Sequence, residues 1–243
     1  MKSHRITMLG TGLIADFYTM TLHGQRNRDS VAVVYSRSEE RGDAFAKRWN
    51  IPTYTTSIEE AINHPDTDVI IVALPNHMHE EAITLAAKAG KAIFCEKPVD
   101  LSAERVRACL KVVEATKTKL MIGFNRRFDT NFAAARHRID AGDVGTVELV
   151  QIVSRDPGPP PLEYIKRSGG LFRDMMIHDL DLARFLLNGE EIVSVSATGS
   201  VLVDSAIGEA GDVDTATATL RSKSGKIVVI TNSRRATYGY DQR

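Results

Sequence analysis

The sequence predicts an α/β domain on a doubly wound parallel sheet over residues 1–123, then an α+β domain with an open, mostly antiparallel sheet over 124–243. Three observations carry this reading. Up to residue 124, short apolar runs rich in β-branched residues alternate with helical patterns, the order of a parallel sheet covered on both faces. A glycine-rich turn directly follows the first run. Beyond residue 124 the strand-like stretches alternate in polarity, as strands with one solvated face do.

The first five strands are predicted at 5–10, 31–36, 69–74, 92–96 and 120–124. Helical spacing of apolar residues places helices at 13–24, 41–50, 57–63, 80–90 and 102–117, and Ser57 and Glu60 have the spacing of a capping box. In the second domain a helix is predicted at 128–142, a strand at 147–155, a proline-rich loop at 157–161 and a single helix at 170–187. Strands at 192–203, 215–222 and 226–235 follow, separated by turn residues.

Composition narrows the function classes. Lysine plus arginine equal aspartate plus glutamate at 31 each in 243 residues, so charge favours neither nucleic acid nor an anionic membrane. The expected partner is a small molecule. No apolar signal region opens the chain and no run approaches the roughly 18 apolar residues of a membrane span, which reads as a cytoplasmic protein. Cys95 and Cys109, without a CxxC pair, fit a reducing compartment and do not read as metal ligands.

Gly10-Thr11-Gly12-Leu13-Ile14-Ala15 stands where a strand turns into a helix, the context a GxGxxG/A dinucleotide loop requires. Small residues there admit a pyrophosphate to the backbone, and the helix N-terminus supplies N–H donors and a favourable dipole. Glycine pairs also occur in plain tight turns, and similar loops bind S-adenosylmethionine or flavin. An NAD site normally has Asp or Glu at the end of the second strand. Here that end reads Tyr35-Ser36-Arg37-Ser38, which suits a 2′-phosphate and points to NADP, or to use of both cofactors, over strict NAD. Arg37 as a solvated residue opening a helix is the alternative.

Ala73-Leu74-Pro75-Asn76-His77-Met78-His79 precedes a helix and then Cys95-Glu96-Lys97-Pro98. This pair of motifs resembles the glucose-fructose oxidoreductase / inositol dehydrogenase family, whose Rossmann domain has an Asn-His-x-His loop and a Glu-Lys-Pro tripeptide beside the nicotinamide. The resemblance implies cofactor contacts from Leu74, Pro75, Asn76, His79, Glu96 and Lys97, with NAD as the dinucleotide and Lys97 catalytic. Asn125-Arg126-Arg127-Phe128-Asp129, Ser154-Arg155-Asp156-Pro157, Tyr164-Ile165-Lys166, Gly169 to Asp179 and Asn232 to Asp241 resemble the inositol 2-dehydrogenase branch. Residues up to about 92, with His-Gly-Gln at 23–25 and the Ser-Arg-Ser after the second strand, look more like a sugar dehydrogenase branch. Family members continue past Tyr240-Asp241, so the 243 residues are expected to expose apolar surface on the second domain and to aggregate or oligomerise when made alone. The resemblance further implies a homodimer or homotetramer joined through the open faces of the second-domain sheets.

Oxidising a ring hydroxyl needs a hydride acceptor and a base for the proton. Asp174 and His178 are four apart and would share a face of the helix at 170–187, in an arc with Leu171, Met175, Asp181, Leu182, Phe185 and Leu186. Two carboxylates and a histidine in an apolar stripe are costly without partners or a role; taken alone, His178 reads as a satisfied core histidine. The resemblance implies that His178 takes the hydroxyl proton, Asp174 orients the imidazole and holds a substrate hydroxyl, and Lys97 polarises the reacting oxygen. Arg127, Asp156, Asp181, Tyr238 and Tyr240 are the further substrate candidates, with Arg127 equally readable as a solvated residue. The expected reaction is oxidation of myo-inositol at C2. The alternatives are another sugar dehydrogenase, a non-catalytic sugar or dinucleotide sensor, and an inactive fragment; a sensor has no need of a proton acceptor.

Overall fold

An apolar run without polar alternation can be buried on both faces only inside a sheet that helices cover on both sides. The computed structural model, which describes residues 3–26 and 28–243 (for Gln25 and Arg26, the backbone only), has this arrangement in its first half. The chain divides into two units, one ending at Gly123 and one running Phe124–Arg243.

The first unit runs β1 (Arg5–Leu9), α1 (Leu13–Met20), β2 (Ser30–Tyr35), α2 (Glu39–Trp49), β3 (Thr53–Thr55), α3 (Ile58–Asn63), β4 (Val69–Val72), α4 (His79–Lys88), β5 (Ala92–Cys95), α5 (Ala103–Ala115) and β6 (Leu120–Ile122). Its six strands lie in the order β3-β2-β1-β4-β5-β6, all neighbours parallel. The order reverses between β1 and β4, the crevice where doubly wound sheets bind ligands at their carboxyl ends. One core under the sheet joins Leu9, Val33, Ile70 and Val72 to Ile83 and Ala86 of α4, and the other joins Met8, Val31 and Val34 to Ala15 and Phe45. The near-continuous burial of β1, β2 and β4 reflects cover on both faces.

Serines start three of these helices. Ser38, Ser57 and Ser102 each accept a hydrogen bond from the N–H three residues on, at 3.3, 3.3 and 3.4 Å. The expected capping box is only half formed, because the Glu60 carboxylate accepts from Thr55 Oγ1 at 2.7 Å, and the Ser57 N–H donates to that same hydroxyl oxygen. The helix expected over 13–24 is α-helical only to Met20. It continues as a π-helical turn, Thr21–Arg26, where the Thr21 hydroxyl donates to the Phe17 carbonyl at 2.9 Å. The three-residue β3 is too short to show a period in the sequence.

The second unit runs α6 (Thr130–Asp140), β7 (Leu149–Arg155), α7 (Leu162–Ser168), α8 (Gly170–Asp174), α9 (Met176–Leu186), β8 (Ile192–Ser200), α10 (Ser205–Glu209), β9 (Thr215–Ser222), β10 (Ile227–Ser233) and β11 (Asp241–Gln242). The strands lie in the order β11-β7-β10-β9-β8, with β7 and β10 parallel and the other pairs antiparallel. Helices cover one face: Ile152, Ala216, Ala218, Leu220, Val228 and Ile230 pack with Leu171, Met176, Leu182 and Leu187. The single helix expected over 170–187 is broken at Met175, whose φ of −93° and ψ of −57° mark the junction of α8 and α9. The Asp174/His178 spacing therefore does not belong to one continuous helix. Helix α7 was missed because Pro161 and Gly169 bracket only seven residues. Among the described residues no helix is long and apolar enough to cross a membrane.

Candidate active site

The turn after β1 is held where only glycine fits. Gly10 has φ +120°, and a Cβ there would stand 2.4 Å from the Ala73 carbonyl oxygen beyond β4. Gly12 differs: it is the N-cap of α1, no side chain caps the helix there, and a Cβ would meet nothing within 4 Å. The first residues of α1 thus border open space, as a pyrophosphate site at a helix N-terminus requires. That space is part of a cavity of about 590 Å³ lined by Gly10, Thr11, Gly12, Leu13, Ile14, Ser36, Arg37, Ser38, Arg41, Ala73, Leu74 and Pro75.

Nine of the expected cofactor residues therefore share one cavity at the switch point. None of its lining residues is acidic, and two are arginines. Arg41, which the sequence reading missed, reaches it because Ser38 caps α2 and sets the direction of the helix's first turn. Ser36 Oγ accepts from the Ser38 N–H at 3.3 Å and from Thr11 Oγ1 at 3.5 Å, tying the two loops together. The architecture thus fits a dinucleotide: glycine backbone for the pyrophosphate, and hydroxyls with guanidinium groups for the ribose end.

The remaining expected cofactor residues, Asn76, His79, Glu96 and Lys97, are not among those lining this cavity. Asn76 opens a one-turn 3₁₀ segment, Asn76–Met78. His79 is 1% exposed, with Nδ1 2.6 Å from the Pro98 carbonyl oxygen and Nε2 2.7 Å from that of Leu74. It joins the loop after β4 to the loop after β5. Glu96 Oε2 accepts from the Lys97 N–H at 3.1 Å, and the Lys97–Pro98 peptide is cis. His23 also has both ring nitrogens engaged, with Nδ1 3.0 Å from the Trp49 carbonyl oxygen and Nε2 accepting from the Val31 N–H at 3.1 Å.

In the second unit a cavity of about 410 Å³ is lined by Asn125, Arg126, Phe128, Asp129, Phe132, His178, Tyr240 and Gln242. It brings together His178 and Tyr240 of the expected substrate residues. Asp174 is buried, and its Oδ1 accepts from the Tyr164 hydroxyl at 2.8 Å. Burial holds the Asp156 carboxyl above the usual carboxylate range; Arg234 opposes that push and the charge of Asp174 adds to it. Asp156 and Asp174 are thus electrostatic neighbours.

Two expected substrate groups are bonded to each other instead. Arg127 forms a two-pronged pair with Asp181 (2.8 and 2.6 Å), its guanidinium 5.5 Å from the centre of the Phe185 ring. Tyr238 is exposed and donates to Asp241 Oδ2 at 2.7 Å. The sequence reading missed Asp179, which is fully buried and accepts from Arg126, from the Ser154 hydroxyl and, at 2.7 Å, from Asn232 Nδ2. Its signal was a third carboxylate in the helix, adjacent to His178.

Comparison with known proteins agrees with this geometry. Residues 4–124 match the profile of an oxidoreductase family with an NAD-binding Rossmann fold, and residues 132–243 match the GFO/IDH/MocA C-terminal domain. The chain is 53% identical over 239 residues to the inositol 2-dehydrogenase of Rhizobium meliloti, covering 98% of this chain and 71% of that protein. It superposes on a myo-inositol dehydrogenase from Corynebacterium glutamicum with a TM-score of 0.91 at 38% identity, covering 99% of this chain and 71% of the other. A scyllo-inositol dehydrogenase from Lactobacillus casei, solved with NAD(H) and scyllo-inositol, superposes with a TM-score of 0.91 at 27% identity, covering 99% and 72%. The chain therefore belongs to the GFO/IDH/MocA oxidoreductase family, with the NAD-binding Rossmann fold as its first unit and the family's C-terminal domain as its second.

Proposed function

We propose that the protein oxidises a ring hydroxyl of a cyclitol, with myo-inositol giving the 2-keto product, and passes the hydride to NAD(P). The observation that carries the reading is 53% identity to an inositol 2-dehydrogenase along 98% of the chain, together with a cavity lined by the glycine-rich turn at the sheet's switch point. A bound nicotinamide supplies the hydride acceptor. The chain's own residues do the rest. His178 takes the hydroxyl proton, since imidazole gains and loses a proton near neutrality. Asp174, held by Tyr164, orients the imidazole and accepts a substrate hydroxyl. Lys97 polarises the reacting oxygen. Asp156 and Tyr240 supply hydrogen bonds that select among polyols, because a site built for a hydroxyl rejects an analogue lacking it.

The test is spectrophotometric: formation of reduced nicotinamide from NAD or NADP with a panel of inositols and aldoses. Inositols should be the better substrates. His178→Ala and Lys97→Ala should each lose about 10² to 10⁴-fold in turnover while still binding cofactor. Faster turnover of an aldose overturns the substrate, and near-normal turnover by His178→Ala overturns the mechanism.

We further infer that the cavity accepts NADP at least as well as NAD, on the strength of Ser36, Arg37, Ser38 and Arg41 in its lining. We also infer a homodimer or homotetramer formed through the uncovered sheet face. In register across that face stand Leu149, Ile227 and Arg221, then Gln151, Val229 and Thr219. Leu149 and Ile227 are 61% and 42% exposed, an apolar stripe that a second copy would bury.

A further inference from the structure

The Glu-Lys-Pro loop has a support that its sequence does not announce. Tyr18 lies on α1, the helix whose N-terminus opens into the dinucleotide cavity, and its hydroxyl donates to Glu96 Oε1. The other oxygen of that carboxylate, Oε2, accepts from the Lys97 N–H at 3.1 Å. The carboxylate therefore spans from the α1 side chain to the main chain of Lys97. Its seat is built for it. The Tyr18 ring meets the Phe94 ring edge-on, with centroids 5.3 Å apart, and Gly123 leaves open a space where a Cβ would come within 3.1 Å of Glu96 Oε1. The Glu96 N–H donates to the Val72 carbonyl at 2.9 Å and the Gly123 N–H to the Cys95 carbonyl at 2.8 Å, so the backbone behind the carboxylate is pinned to the sheet.

We propose that Tyr18 is a positioning residue for Lys97: acting through Glu96, it fixes the main chain from which the lysine side chain springs and couples that chain to the helix that holds the dinucleotide. Partial burial and the neighbouring Glu96 charge push the Tyr18 phenol well above its ordinary range, so it stays a donor at every working pH. A phenol that donates to one oxygen of a carboxylate leaves the other oriented toward a second donor, which here is a backbone N–H. Without Tyr18 the carboxylate loses its second donor, and the bond from the Lys97 N–H to Oε2 is weakened.

The inference rests on the reading of Lys97 as part of the reaction, and the test separates the two. Tyr18→Phe, Glu96→Gln, the double variant and Lys97→Ala are compared in the full chain. Amide hydrogen exchange is measured without cofactor, and kcat and KM with it. In Tyr18→Phe the Lys97 amide should exchange about ten-fold faster while the Met8 amide is unchanged, and kcat should fall about ten-fold with the cofactor KM within about two-fold. The double variant should be no worse than Glu96→Gln alone, since both changes break one link. Unchanged Lys97 exchange in Tyr18→Phe overturns the inference whatever the activity. Unchanged kcat in Tyr18→Phe, with Lys97→Ala inactive, overturns it as well. Turnover retained by Lys97→Ala overturns the catalytic reading of the lysine, and the exchange measurement still decides the role of Tyr18. Should Tyr18→Phe fail to fold, Glu96→Gln breaks the same link at constant volume and must show the same exchange and kcat changes.

Discussion

At the end of β2 a carboxylate would hold both ribose hydroxyls of NAD and repel an added phosphate; Ser36 and Arg37 reverse that electrostatic sign. Arg41 adds a second guanidinium from the first turn of α2. A charge-assisted contact to phosphate contributes about 1.5 to 3 kcal/mol, roughly ten-fold or more in affinity. Arg37→Ala should therefore weaken NADPH binding about ten-fold and leave NADH within about two-fold, read by nucleotide fluorescence titration. An equal loss for both cofactors would mean that Arg37 acts on something common to them, and no loss for either would place it in solvent.

The β1–α1 turn shows how two glycines of one motif serve different ends. Gly10 is required by the fold: its φ of +120° and the 2.4 Å approach of a Cβ to the Ala73 carbonyl leave no room for a side chain, and the obstructing atom is backbone. Gly12 has free space, so its missing side chain serves the ligand. Gly10→Ala should destabilise the chain by about 1 to 3 kcal/mol in denaturant unfolding. Gly12→Ala should melt like the parent yet bind dinucleotide at least ten-fold more weakly, because its methyl group occupies the approach of the pyrophosphate. Normal binding by a well-folded Gly12→Ala would remove the phosphate from this turn.

Over the whole chain, the two units cover their sheets differently. The parallel sheet has cores on both faces, whereas the second sheet has helices on one face and the Leu149, Ile227, Val229 stripe on the other. An apolar stripe on a one-sided sheet is stabilised by a partner surface, and the self-complementary solution is a two-fold interface. Val229→Lys places a charge in that stripe and points away from the covered face, so the unit should still fold. If the proposed oligomer forms through this face, sedimentation velocity should then show a shift to smaller species; an unchanged distribution would overturn the proposed interface.

Although the short β3, α7, α10 and β11 were not legible in it, the sequence by itself determined the order of the longer elements, the parallel and the mostly antiparallel character of the two sheets, and the dinucleotide loop. These are local matters: apolar period, helix-starting serines at 38, 57 and 102, and glycines adjacent to a strand end are all written within a few residues. The tertiary structure alone decided which polar groups are spent on each other. Arg127 and Asp181 are 54 positions apart and Arg126 and Asp179 are 53 apart, so no window of sequence reveals that each pair closes. It also set His79 as a buried bridge between two loops, broke the helix at Met175, and brought Tyr18 to Glu96 across 78 positions. Hydrogen-bond partnership depends on where distant segments are set down by the packing of the core. Period and propensity, which act along the chain, do not contain that information.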